Sequence, residues 1–266
     1  MNTQTHILLA AALLCRPNAP RANAAVLAGA IVPDAAVTLL FVWGQASGVP
    51  PNELWGRIYF GEPMQTVQAA FNSVPLYAAL LVVGLAMAER RASTAAYGGL
   101  NHAERRTLGA ATSMGSRAVG ERLATRRARA MPEQRLPTRR PAATPSSAVE
   151  PVPAASHGWW DTVGTLSPLA LFAIAALVHL AGDLPLHADD AHRHFWPVTD
   201  WRFNSPVSYW DPAHHGTLAS IAEGVLGVVL CAVLWRRFRA RWVRGAVLLA
   251  AAIYVGLPLY WSTVTG

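Results

Sequence analysis

The chain has 266 residues, of which 53% are apolar and only 14% charged, against roughly 25% charged in ordinary soluble domains. That balance excludes a disordered chain, a coiled coil and an ordinary soluble enzyme, and it predicts an all-α polytopic membrane protein with five or six apolar helices. Two cysteines, Cys15 and Cys231, exclude a disulfide framework and a cysteine-rich zinc module.

The first apolar stretch is His6–Cys15. No Arg or Lys precedes it, so it lacks the charged start of a secretion signal. It is also too short to cross a hydrocarbon core of about 30 Å. Residues 16–21 follow, with two prolines that break a helix. Ala24–Trp43 is long enough to span, and it carries Pro33 and Asp34 near its middle. A mixed loop is expected over 44–72. Four further apolar segments run over 73–88, 165–182, 217–235 and 245–264.

The charge sits in one place. Residues 89–158 hold twelve Arg and five Glu, which accounts for the whole net charge of +7. With its many Pro, Ala and Ser residues, this segment cannot bury enough surface to offset its ordering entropy, and a disordered cytoplasmic loop is expected. Arg clusters also bind phosphate, on nucleic acid or anionic lipid. Tyr97 is the lone aromatic among these Arg residues, so a topology-setting insertion is favoured, nucleic acid is disfavoured, and no protein partner is suggested. The organisation is thus 1–88 membrane helices, 89–158 basic loop, and 159–266 membrane helices with a His/Asp-rich loop at 183–216. Arg16, Arg21, the basic loop and Arg236 to Arg244 should be cytoplasmic, which turns loops 44–72 and 183–216 outward.

The chemistry-bearing residues gather near that last loop. His179 and Asp183 are four apart in an apolar helix, so they share a face. Pro185 ends the helix and lets His187 swing back. Imidazoles with carboxylates suit zinc or a similar divalent ion. A His/Asp-rich loop is most often solvated surface, and that is the expectation for His192 and His194. At 1.5 Å rise per residue, His6 and Asp34 both lie about 15–20 Å above the 16–21 turn. His6, Asp34, His179 and Asp183 should therefore share one layer, with Glu223 just beneath. His215 joins His187 as a further candidate ligand from the loop. Asp190 and Glu223 are the candidate bases.

These pieces resemble a known family. Thr5-His6 opening the first helix, the Gly29-Ala-Ile-Val-Pro33-Asp34 element and His179-x-x-x-Asp183 are similar to the YdjM-like membrane-bound metal-dependent hydrolases, also called inner-membrane LexA-binding-like proteins. The His179-x-x-Gly-Asp183-x-Pro-x-His187 run is also similar to the metal helix of zinc phospholipase C and P1-type nucleases. Where the family carries H-R-G-x-T-H, this chain reads Phe71-Asn72-Ser73-Val74-Pro75-Leu76, without His. Either loop 187–215 supplies the remaining ligands, or the site takes one metal or none. The resemblance implies a multi-pass protein of the bacterial inner membrane. It would hydrolyse a phosphoester or lipid-like substrate at the outer bilayer surface. The alternatives are a non-catalytic metal-binding or transport protein using the same residues, and a structural membrane protein with a vestigial site.

Overall fold

The computed structural model describes residues 1–99 and 158–264; residues 100–157 and 265–266 lie outside the described residues, and with them most of the expected Arg-rich loop. The chain divides into two units, Met1–Ala88 with His157–Gly266, and Glu89–Ser156. The buried apolar core belongs to the first. Among the described residues every regular element is helical. Among the described residues four segments are long and apolar enough to cross a membrane: Pro20–Ser47, Glu62–Thr94, Pro168–Leu186 and Gly216–Arg237. The fold is that of an all-helical membrane protein.

Helix α1 (Thr3–Leu14) has 12 residues, about 18 Å at the standard rise. A helix that ends inside a bundle must have its terminal backbone groups satisfied there. Glu223 does this at one end, accepting from the Asn2 amide at 2.7 Å. Arg237 does it at the other, donating to the Ala12 carbonyl at 2.5 Å. The next span is interrupted. Helix α2 (Pro20–Ile31) passes through a 3-10 turn, Val32–Asp34, into α3 (Ala35–Ser47). Pro33 has no N–H to continue the helical ladder, and the chain tightens around it.

The stretch expected as a mixed loop is largely helical. It holds α4 (Pro51–Glu53), a π turn over Leu54–Ile58, and α5 (Glu62–Phe71). Pro51 and Pro63 each sit at a helix start, where the missing N–H costs nothing. Leu54 and Tyr59 bury themselves against Leu40 of α3, which gives these short helices their apolar support.

Helix α6 (Val74–Gly99) follows, and after the segment outside description come α7 (Trp159–Thr165), α8 (Pro168–Asp183), α9 (Gly216–Arg237) and α10 (Arg241–Val264). Helix α8 is the centre of the unit. Its residues Ala170, Ala173, Ala175 and Ala176 are fully buried, the small-residue packing that lets helices approach in lipid. Two partner glycines complete that approach. A Cβ on Gly29 would lie 2.1 Å from the Phe172 carbonyl oxygen, and one on Gly84 would lie 2.5 Å from the Ala170 nitrogen. Gly29 lies beside Phe172 and Asp34 beside His179, so the second span runs parallel to α8. Tyr77 packs near Phe172 and Gly84 beside Ala170, so α6 runs antiparallel. His6 meets Asp183 at the end of α8, and the Leu13 carbonyl accepts from Trp159 ahead of its start, so α1 runs antiparallel as well. Leu39, Val82, Val225 and Trp242 are all more than 60% exposed, and apolar side chains turned outward are what a lipid environment accepts.

The 183–216 segment is folded tightly over one end of this bundle. Backbone bonds tie Ser205 to His187 at 2.9 Å and Val74 to His194 at 2.8 Å. Arg193 reaches Glu62 at 3.0 Å and Asp200 at 3.1 Å. The result corrects the expectation of a solvated surface at His192 and His194, which are 7% and 3% exposed.

Candidate metal centre

The site begins at the interruption of the second span. The switch from α to 3-10 pairing at Val32–Asp34 leaves carbonyls of the preceding turn available. The Ala30 carbonyl accepts from His179 Nδ1 at 2.7 Å. That bond places the imidazole proton on Nδ1 and turns Nε2 inward. There Nε2 lies 3.0 Å from Asp183 Oδ2 and 3.4 Å from Asp34 Oδ1. It stands at ion-pair distance from both, yet makes no well-aligned hydrogen bond to either. A lone pair facing two carboxylates is repulsive unless a cation or a second proton stands between them.

His6 enters from the first turns of α1. Its Nε2 lies 2.8 Å from Asp183 Oδ1, and its ring stacks on His179 at 3.6 Å between centroids. His187 follows the 3-10 turn Leu184–Leu186, which is where Pro185 bends the chain. Its Nε2 lies 3.6 Å from Asp183 Oδ1, and its Nδ1 lies 2.9 Å from Asp190 Oδ2. Asp34 is held by the Thr3 hydroxyl, which donates at 2.5 Å. The Met1 amino group lies 2.7 Å from Asp183 Oδ1. His6, His179 and Asp183 offer ligand atoms within 4.8 Å of one another, all buried. Asp34 and His187 stand at ion-pair distance from that trio. Two nitrogens and one carboxylate at the centre, with a further carboxylate and imidazole beside them, form a donor set that fits zinc or a neighbouring divalent ion.

The groups above the span show how the field is arranged. Burial opposes a charge on His187, but hydrogen bonds to Asp183 and Asp190 outweigh it and push the imidazole up to about 9. Burial likewise disfavours the Asp190 carboxylate, and the His187 contact overcomes it, so its pKa lies below the usual range. Asp190 also accepts from Trp210 Nε1 at 3.3 Å, while its Oδ1 has no partner. A carboxylate on the outer nitrogen of a ligand histidine is the usual way such a ring is oriented. His192 has no such partner. Burial, helped by the neighbouring His187, pushes it down to about 3. His194 is lowered in the same way by burial, with its Nδ1 against the Asn72 carbonyl at 3.3 Å.

The remaining candidates lie apart. Glu223 is buried on α9, where its Oε1 accepts from the Asn2 amide and, at 2.5 Å, from the Thr5 hydroxyl. Thr5 also bonds the Tyr254 hydroxyl. Among the described residues Glu223 makes no ion pair with the His/Asp cluster. His215 is exposed, adopts a left-handed backbone with φ 63°, and precedes the first turn of α9. Asn72 and Ser73 are buried hydrogen-bonding residues. Asn72 donates to the Pro33 and Gln68 carbonyls, and Ser73 donates to the Trp196 carbonyl at 2.6 Å. Sequence reasoning did not single out Thr3, which holds Asp34, or Trp210, which holds Asp190. A hydroxyl on the first residue of a helix carries no recognisable signal of its own.

No family model, curated protein or solved structure matches this chain.

Proposed function

We propose that the chain is a membrane-embedded, metal-dependent hydrolase of the YdjM-like kind, acting on a phosphoester or lipid-like substrate at the bilayer surface. The observation that carries this reading is the buried trio His6, His179 and Asp183, with His179 Nε2 held between the Asp34 and Asp183 carboxylates. Ionisable groups at membrane depth are costly, at about 2.5–3.5 kcal/mol for a charged Asp on insertion scales. Such a layer persists where its charges are used or balanced.

His6, His179 and Asp183 would hold the ion, with Asp34 and His187 completing the set. A bound divalent ion supplies a water acidic enough to be hydroxide near neutral pH. The protein's own residues do the rest. The Ala30 carbonyl and Asp190 orient the His179 and His187 rings. Asp190 would be the group that accepts a proton from a substrate-side water. Glu223, engaged with the start of α1, is read as that helix's anchor.

An apolar core lies beneath the cluster, with Leu14, Val26, Leu171, Leu230 and Leu234 all buried. A polar route from the cluster to the far end would have to cross that core, which favours hydrolysis over transport. Arg16, Arg21 and the Arg236–Arg244 group stand at that far end. By the positive-inside rule, the cluster would then face away from the cytoplasm, as expected for an inner-membrane protein. The test is the metal content of detergent-purified full-length protein, alongside release of phosphate or alcohol from phosphoester lipids. A protein that carries stoichiometric metal but cleaves no phosphoester would support the non-catalytic alternative.

A further inference from the structure

A cavity of about 490 Å³ is lined in part by Asp190, the carboxylate that also meets His187. Its volume falls within the range of small-ligand sites, and its lining is unusual. Five aromatic side chains form the wall: Trp55, Tyr59 and Phe60 from the π turn and its end, and Tyr209 and Trp210 from the 183–216 segment. The charged groups that line it are both acids, Asp189 and Asp190. Asp189 is exposed at the rim, whereas Asp190 is 8% exposed and keeps an unpartnered Oδ1. Trp55 and Trp210 are 38% and 51% exposed, so ring surface remains open to an occupant. Burial pushes the Tyr59 and Tyr209 phenols up, and both hydroxyls stay neutral.

We propose that this cavity seats a quaternary ammonium group. Aromatic faces attract a cation through their quadrupole, and most strongly one that holds its water loosely. An acid-bearing wall with no lining base supplies the complementary charge. Two features favour a quaternary over a primary ammonium. The wall offers many ring faces, and one of its two acids is already committed through Oδ2 to His187 and Trp210. A primary ammonium needs three acceptors for its N–H groups, whereas a trimethylammonium group needs none. The cavity is joined to the cluster through Asp190 and His187. This inference rests on the proposed hydrolase reading for one point only, that the occupant is the head group of the phosphoester placed at the centre. A choline lipid and a free choline ester share that chemistry.

The experiment is calorimetric titration of the purified full chain with choline and with its neutral isostere 3,3-dimethyl-1-butanol, each with and without EDTA. Choline should bind at least about tenfold more tightly than the isostere, with EDTA present or absent. Trp55→Ala and Asp189→Asn should each weaken choline several-fold, and Asp189→Asn should leave the isostere unchanged. Equal affinity for the two probes, absence of binding by choline, or unchanged choline affinity in both variants overturns the proposal. Choline binding that survives EDTA in a protein without hydrolase activity would sink the hydrolase reading and leave this one standing; metal and activity without choline binding would do the reverse. Repeating the titration in phosphatidylcholine and phosphatidylglycerol nanodiscs identifies the source. Apparent affinity that falls only in phosphatidylcholine supports a lipid head group, and equal affinity in both supports a soluble choline ester.

Discussion

Two groups of histidines lie within one small region, and both are buried. His6, His179 and His187 face the Asp183 carboxylate. His192 and His194 face other rings and a backbone carbonyl, with ring centroids 5.8 Å apart. Burial is similar in the two groups, and the consequence is opposite. His187 is pushed up to about 9 and His192 down to about 3. Burial alone therefore does not make a ligand. The Asp183 carboxylate opposite Nε2, backed at His179 and His187 by an acceptor behind Nδ1, distinguishes a ring placed to hold a cation from a ring that merely fills space.

Mutation can break the contrast between the two groups. Asp183→Asn removes the charge that His6, His179 and His187 share, at nearly constant volume. It should weaken metal binding by more than about a hundredfold, beyond the loss typical of outer-shell partners, as read by competition with a chromophoric chelator. Gly29→Val tests the scaffold. Its side chain must move the Phe172 carbonyl from α2, so we expect about 1–3 kcal/mol of destabilisation together with lost metal, because the Ala30–His179 bond parts with the helices. Asp190→Asn keeps the volume but weakens the support behind His187, and should cost about 10–100-fold in metal affinity. His192→Leu should leave metal content unchanged.

The same pair of groups gives a pH prediction. In metal-free protein His192 is neutral when folded, with a value of about 3 against its ordinary 6.5. The unfolded chain then binds the extra proton, so the His192 contribution is present above 6.5 and is lost as the pH falls from there toward 3. His192→Leu should remove that part of the acid sensitivity, measured as thermal midpoint against pH. An unchanged acid limb would mean that other groups carry it.

What the sequence disclosed follows the same division. His6, Asp34, His179 and Asp183 share a level because helical rise is fixed, so an offset from a common turn becomes a depth. Pro33 and Pro185 could be read as interruptions, since each removes a donor wherever it falls. The burial of His192 and His194 could not be read. It depends on Arg193 meeting Glu62, and on Val74 meeting the His194 carbonyl, across more than a hundred residues of chain. No local pattern encodes such a meeting. The helices over 51–71 were hidden for a related reason. Their apolar support, Leu40 against Leu54 and Tyr59, comes from a different element. His215 read as a candidate ligand by proximity in sequence, yet a left-handed turn leaves it exposed before α9.

The central claim is that His179 Nε2 and the Asp183 carboxylate bracket a metal ion. Elemental analysis of detergent-purified wild-type protein and of His179→Ala, prepared side by side and both shown to be folded by circular dichroism, tests it most directly. The account predicts near-stoichiometric divalent metal in the wild type and loss of most of it in the variant. A wild type without stoichiometric metal, or a folded variant that retains it, would contradict the account.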